Sequence, residues 1–416
     1  SVSEDKPNIG IFTEDQDTKI HNSKDIIGGN NTYGIYGKTV ELSGNAKIKV
    51  GNNSVGIFSN GSYAPGLLAS TVHIPSGTTI EVGNNAGVGV FTTGVNQVIA
   101  GDGNMKIGDN SYGFVIRGTG TQLSTNTTSG VTLGNDAVYI YSADTTGSIE
   151  NRTRLTSTGS KNYGIYAAGT VTNLADINFG SGVGNVGIYS IAGGNAVNGT
   201  PTIRPTITVS GTDIPNKLYG IGMAAGYVDD NGVVRQTGTI TNYGDIKVEK
   251  DNGIGMYATG SGSRAINYGN IELDGKNATG MYLDNNAVGE NYGTIKVEKN
   301  NGIGMFATGS GSTATNRGTI EWYSLNWLLG LGVGILIAGL LYRKKYRSPL
   351  MQGSFEWNKP ILKEYRNYAL RAFIGANIGN VFGQIIQQMV IYFLGAEAAG
   401  YYANFLSLFY IGNLII

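Results

Sequence analysis

The chain has 416 residues, with 66 glycines, no cysteine, and 29 basic against 29 acidic side chains. The lack of cysteine excludes disulfides, thiolate metal sites and a cysteine nucleophile. The zero net charge hides a division: residues 1–322 hold 21 Lys and Arg against 26 Asp and Glu, whereas residues 323–416 hold 8 against 3. Two parts suited to different surroundings are expected, and no nucleic-acid partner.

The chain opens on Ser1-Val2-Ser3-Glu4 and closes within an apolar run at Ile416, so both ends read as cut and the whole as a fragment. From Gly34-Ile35-Tyr36 onward an anchor recurs: a small residue, usually Gly, then an aliphatic, then an aromatic or Met. It returns at Gly56-Ile57-Phe58, Gly89-Val90-Phe91, Gly164-Ile165-Tyr166 and Gly187-Ile188-Tyr189, and runs on to Gly304-Met305-Phe306, with Tyr139-Ile140-Tyr141 as a degenerate copy. Most of the steps between the eleven anchors are 22 to 26 residues. Three are 33 to 35 and predict inserted loops, Tyr227 to Gln236 being one candidate.

A second phrase, N-x-G-x-I, starts at Asn242, Asn267, Asn291 and Asn316, at steps of 25, 24 and 25 residues. A fixed period of this size marks a solenoid, in which each coil buries its apolar edge against the next. Within a copy, Ile246-Lys247-Val248-Glu249-Lys250 alternates apolar and charged residues, the pattern of a strand with one buried face. Gly, Asn and Asp between these runs supply tight turns. The reading is mainly β: a glycine-rich parallel β-helix over residues 1–321, with parallel strands about 4.8 Å apart and a rod of about 50 Å. Ile246, Ile271, Ile295 and Ile320 are expected to form an interior aliphatic ladder. Asn242, Asn267, Asn291 and Asn316 are expected to form a corner ladder of amides satisfying one another, a structural role. Most tyrosines are expected to pack.

No chemistry of catalysis is visible in this region. Asp229-Asp230 precedes Asn231-Gly232 and reads as a turn, and His21 and His73 are far apart in sequence with no ligand spacing. Gly182-Val183-Gly184-Asn185-Val186-Gly187 matches G-x-G-x-x-G, but a dinucleotide site needs that motif between a strand and a helix. No metal, no cofactor and no enzyme activity are expected.

These repeats, over roughly Ile9 to Glu321, resemble the passenger domains of autotransporter adhesins, most closely the large fusobacterial-type passengers built from N-x-G-x-I and G-I-Y or G-M-Y repeats. The resemblance implies secretion through an outer-membrane β-barrel, display at the cell surface, and a host or bacterial surface ligand, protein or glycan.

From Trp322 the character changes. Tyr323 to Tyr342 carries no charge and is long enough to cross a bilayer as a helix. The uncharged runs that follow give three predicted membrane spans at about 325–341, 372–394 and 398–416. All eight basic residues after 322 lie between Arg343 and Arg371, so the 343–371 loop is expected in the cytoplasm and the repeats on the periplasmic or cell-surface side. Asn377, Asn380, Gln384, Gln387 and Gln388 share one arc of the second span and are candidates for the wall of a translocation cavity. Phe393-Leu394-Gly395-Ala396-Glu397-Ala398-Ala399-Gly400-Tyr401-Tyr402 resembles the F-L-G-x-E-x-x-G-x-Y hairpin of bacterial polysaccharide exporters of the oligosaccharide flippase type. That resemblance covers roughly 94 residues and implies a lipid-linked oligosaccharide as partner.

The first reading of the whole is a cell-surface adhesin-like β-solenoid joined near Trp322 to a membrane fragment, residues 322–416. The alternative is a flippase-like transport protein of polysaccharide or lipid-linked oligosaccharide. A carbohydrate-active β-helix enzyme comes last, for want of clustered carboxylates.

Overall fold

The computed structural model describes residues 7–15, 18–62 and 71–322. The chain separates into two units, Ser1–Asn326 and Trp327–Ile416. The three expected spans, the basic loop and the five amides from Asn377 to Gln388 lie outside the described residues.

Alternation of apolar and polar side chains builds strands such as Lys47–Val50 and Asp245–Val248. In Asp245–Val248 the side chains of Ile246 and Val248 are buried while those of Asp245 and Lys247 reach the surface. Such strands cannot bury their inner edge alone, so they stack in parallel. Twelve coils, or rungs, each contribute one strand to each side of the rod. Two sides form unbroken twelve-stranded parallel sheets. Face 1 runs from Asn8–Phe12 in rung 1 to Ile303–Ala307 in rung 12, and face 2 from Lys19–Asn22 to Thr313–Asn316. Face 3 is two sheets, of four and eight strands, separated between Asn104–Ile107 in rung 4 and Val131–Leu133 in rung 5. No helix occurs among the described residues, and none there is long and apolar enough to cross a membrane, which says nothing about membrane β-barrels.

The interior is a set of columns. Ile246, Ile271, Ile295 and Ile320 pair rung over rung on face 3. The first three are fully buried, and Ile320, in the last rung, is partly buried. Full burial of one such side chain contributes about 2 kcal/mol over its exposed state. On face 1 the inner column is Ile in rungs 7 and 8 and Met in rungs 9 to 12: Ile165, Ile188, Met223, Met256, Met281, Met305. The anchor glycine has a steric cause. A Cβ on Gly164 would lie 2.5 Å from the carbonyl oxygen of Gly187 in the next rung.

Twelve rungs exceed the eleven anchors by one. The extra copy is Gly10-Ile11-Phe12, paired to Gly34-Ile35-Tyr36 through Ile11 and Ile35. The long step after Gly222 holds an antiparallel hairpin, Tyr227–Val228 with Val234–Gln236. The break in face 3 also has a local cause. Residues 126–130 separate the face 2 and face 3 strands of rung 5, whereas residues 102–103 suffice in rung 4. Inside, Tyr139 replaces the anchor glycine of rung 6, and its ring meets Phe114 edge-on at 5.6 Å.

Candidate binding surface

On faces 2 and 3 burial mostly follows strand parity, whereas on face 1 two successive residues, such as Gly164 and Ile165, are buried between outward Tyr163 and Tyr166. The three outer faces also differ in chemistry. Face 3 carries charges in register. Lys47 and Lys49 both reach Glu81 at 2.8 Å, and their hydrogen bonds and charge hold its carboxyl down at about 2. Farther along, Lys247, Glu272, Lys296 and Glu321 alternate in sign on successive rungs. Face 2 is polar, with outward Gln122, Ser148 and Thr170 in one column.

Face 1 is apolar along its whole length. The third anchor position is Phe or Tyr in ten of the twelve rungs: Phe12, Tyr36, Phe58, Phe91, Tyr141, Tyr166, Tyr189, Tyr257, Tyr282 and Phe306. Val115 in rung 5 and Ala224 in rung 9 fill the same column but are buried. That frequency makes the face one continuous feature. A second outward column, three residues earlier, is also mostly apolar, with Ile9, Tyr33, Val55, Val88, Tyr112, Val138 and Tyr163 in rungs 1 to 7. Three neighbouring pairs stack, Tyr36 on Phe58 at 4.5 Å and 20°, Phe58 on Phe91 at 5.4 Å and 23°, and Tyr141 on Tyr166 at 5.7 Å and 11°, whereas Phe12 is tilted against Tyr36 at 38° and Tyr166 meets Tyr189 edge-on at 75°. Mutual cover leaves them half-buried, and that burial raises the phenols of Tyr163, Tyr166, Tyr189, Tyr257 and Tyr282 above their ordinary range. The tyrosines therefore pack, but chiefly against one another on the outside. Tyr139 is the one fully buried among the described residues.

The corner ladder is longer than the four asparagines of the repeat phrase. Asn151, Asn173, Asn198, Asn242, Asn267 and Asn291 each donate a side-chain amide hydrogen to the carbonyl oxygen of the next asparagine at 2.7 to 2.9 Å, the last acceptor being Asn316. All but Asn316 are fully buried. Asn173-Leu174-Ala175-Asp176-Ile177 is the repeat phrase with Ala for Gly, a signal that could have located the earlier rung. Beside the ladder, Tyr243, Tyr268 and Tyr292 stack at 5.0 Å, and the Arg317 guanidinium lies 5.8 Å from the Tyr292 ring centre.

Three arrangements were not visible in the sequence. His21, Glu41 and His73 occupy one face 2 column in rungs 1 to 3, with the two Nδ1 atoms 3.2 and 4.0 Å from the Glu41 carboxylate. Glu272, Asp274 and Glu298 converge on face 3, with oxygens within 4.8 Å of one another, the only such metal-capable set among the described residues. These carboxylates could hold a cation, but Lys296 already lies against Glu272 at 3.6 Å and against Glu298. Burial and the neighbouring Glu298 raise the Asp274 carboxyl to about 6. The 24-residue step from Asp274 to Glu298 was the available clue. Third, the break in face 3 opens a cleft of about 580 Å³ lined by Lys47, Thr79, Lys106, Ser129 and Thr132 over Met105 and Ile107.

The two remaining sequence features are turns. Asp229 accepts hydrogen bonds from the amides of Asn231 and Val233 and from Arg235. Gly182 and Gly184 adopt positive φ and lead into the strand Val186–Ser190, with no helix after it.

A twelve-rung parallel β-solenoid with one apolar and two polar faces defines a surface-presenting rod. The chain belongs to the family of the BigA third pectate lyase-like domain, whose model matches residues 2–291 and 276–326. No curated protein and no solved structure matches the chain.

Proposed function

We propose that the twelve-rung solenoid is the display rod of a cell-surface, adhesin-like protein of autotransporter passenger type, held on the periplasmic or outer side, binding a surface protein or glycan and cleaving neither. The observation that carries the reading is the aromatic column of face 1. An apolar strip along a whole rod is a solubility liability, and strips of this kind mark contact surfaces. The polar faces 2 and 3 supply the solvation that lets face 1 remain apolar. Membership of a β-helix family supports the architecture, and "pectate lyase-like" describes that architecture without assigning a reaction. The convergent carboxylates lie on face 3, with Lys296 among them.

The test is binding of the chain to arrayed host-surface proteins and glycans, with the double variant Phe58→Lys/Phe91→Lys against the face 2 control Gln122→Lys/Ser124→Lys. Binding lost by at least tenfold in the first and kept in the second supports the reading; equal binding by both would reject face 1. Polysaccharide turnover that disappears in Asp274→Asn or Glu298→Gln would reject the non-catalytic part.

A further inference from the structure

We propose that face 1, over rungs 1 to 8, packs against the same face of a second copy of this chain, with the two rods antiparallel. This rests on face 1 being the contact face and adds its partner. The stacking decides what the face can offer. The rings of Tyr36, Phe58 and Phe91 spend their flat sides on each other, so ring edges and the methyls of Val55 and Val88 point outward. A sugar ring stacks on the flat side of an aromatic. Ring edges and methyls suit another apolar sheet, packed about 10 Å away.

The period then selects the partner. The outward side chains repeat at the strand spacing of about 4.8 Å. A partner keeps step with them over eight rungs only if it has the same spacing and the same columns, and a second copy has both. A two-fold relation of this kind sets like column against like column.

Inserted segments choose the direction. At rung 9 the strand Ile221–Ala225 is flanked by residues 211–220 and 226–237, which expose Ile214 and Tyr227. The second begins beside the column, where the Tyr189 hydroxyl donates to the Gly226 carbonyl at 2.7 Å. Parallel, in-register copies would bring these segments together, whereas antiparallel copies keep them at opposite ends. The overlap is about 38 Å long and about 14 Å wide, so about 500 Å² per copy and about 1,000 Å² in total, at the lower bound for a specific interface. An interface of this size belongs to the small, transient class, so the test spans the micromolar range.

The test is sedimentation velocity of the full chain in mild detergent, from about 1 to about 200 µM. Wild type should pass from monomer to dimer, Phe58→Lys/Phe91→Lys should stay monomeric at least tenfold higher in concentration, and Gln122→Lys/Ser124→Lys should follow wild type. Association unchanged in the face 1 variant, or a monomer throughout, overturns the proposal. Should the lysines disturb folding, cross-linking decides, because the chain has no cysteine of its own. Mixed Tyr33→Cys and Tyr163→Cys copies, in rungs 2 and 7, should be joined by a thiol-specific bis-maleimide of about 10 Å span, which matches the sheet separation where a disulfide is too short. Like-with-like cross-links, or none, overturn the antiparallel pairing. A monomeric wild type whose foreign-ligand binding still fails in Phe58→Lys/Phe91→Lys would remove the second copy and leave face 1 as the contact face.

Discussion

Replacing Asn267 with alanine removes the centre of a buried ladder. Three hydrogen bonds go: from the Asn242 amide at 2.9 Å, to the Asn291 carbonyl oxygen at 2.8 Å, and to the Gly269 carbonyl at 3.1 Å. The Asn242 amide keeps its bond to Gly244, but the Asn291 and Gly269 oxygens lose a partner. At about 1 kcal/mol per net bond, with an added cost for acceptors left unpaired out of water, the loss is about 3–5 kcal/mol. Asn316 makes the same kind of contact in the exposed last rung, where water replaces the lost partners, so Asn316→Ala should cost less than about 1 kcal/mol. A stack of rungs need not melt as one unit. The assay is therefore hydrogen exchange resolved along the chain, supported by urea unfolding. Protection in rungs 9 to 11 should fall selectively in Asn267→Ala. Equal losses at the two positions, or a loss below about 1 kcal/mol at Asn267, would refute the reasoning.

Other expectations follow the same physics. Asp274 titrates at about 6 in the fold, above the ordinary aspartate value of about 3.9, so the fold favours its protonated form. That contribution is full below about pH 4 and is lost as pH rises through about 6, so rungs 10 and 11 should lose exchange protection over that window, and Asp274→Asn should flatten the dependence. Glu81 is opposite in sign. Its contribution is present above the ordinary glutamate value and is lost as pH falls towards about 2, which should weaken rungs 2 and 3 in acid. Tyr139→Phe should be neutral or stabilising by up to about 1 kcal/mol in thermal melts. Its buried hydroxyl lies near those of Thr153, Thr125 and Thr127 yet meets none in hydrogen-bond geometry; a loss above about 1 kcal/mol would reveal a bond. Gly164→Ala should cost about 1–3 kcal/mol, because its methyl meets a backbone carbonyl of the next rung, whereas Gly29→Ala, with open space at that position, should stay within about 0.5 kcal/mol.

The sequence by itself determined the coil, its strands and which residues face in. Period and alternation are local, and parity alone sends Ile246 inward and Lys247 outward. It also carried the shared column of Ile271 and Ile295, because their rungs contain no insertion. Tertiary structure decided which outward residues meet. Lateral register is set by hydrogen bonds between coils, and the sequence distance between stacked partners changes with every inserted loop: along one asparagine ladder the step is 22 residues from Asn151 to Asn173 and 44 from Asn198 to Asn242. His21, Glu41 and His73 are therefore neighbours that no fixed period reveals. The aromatic column was present in the anchor phrase, but parity could not say whether its rings would be covered. That answer came from the stack, where each ring shields the next and leaves one face of the rod apolar.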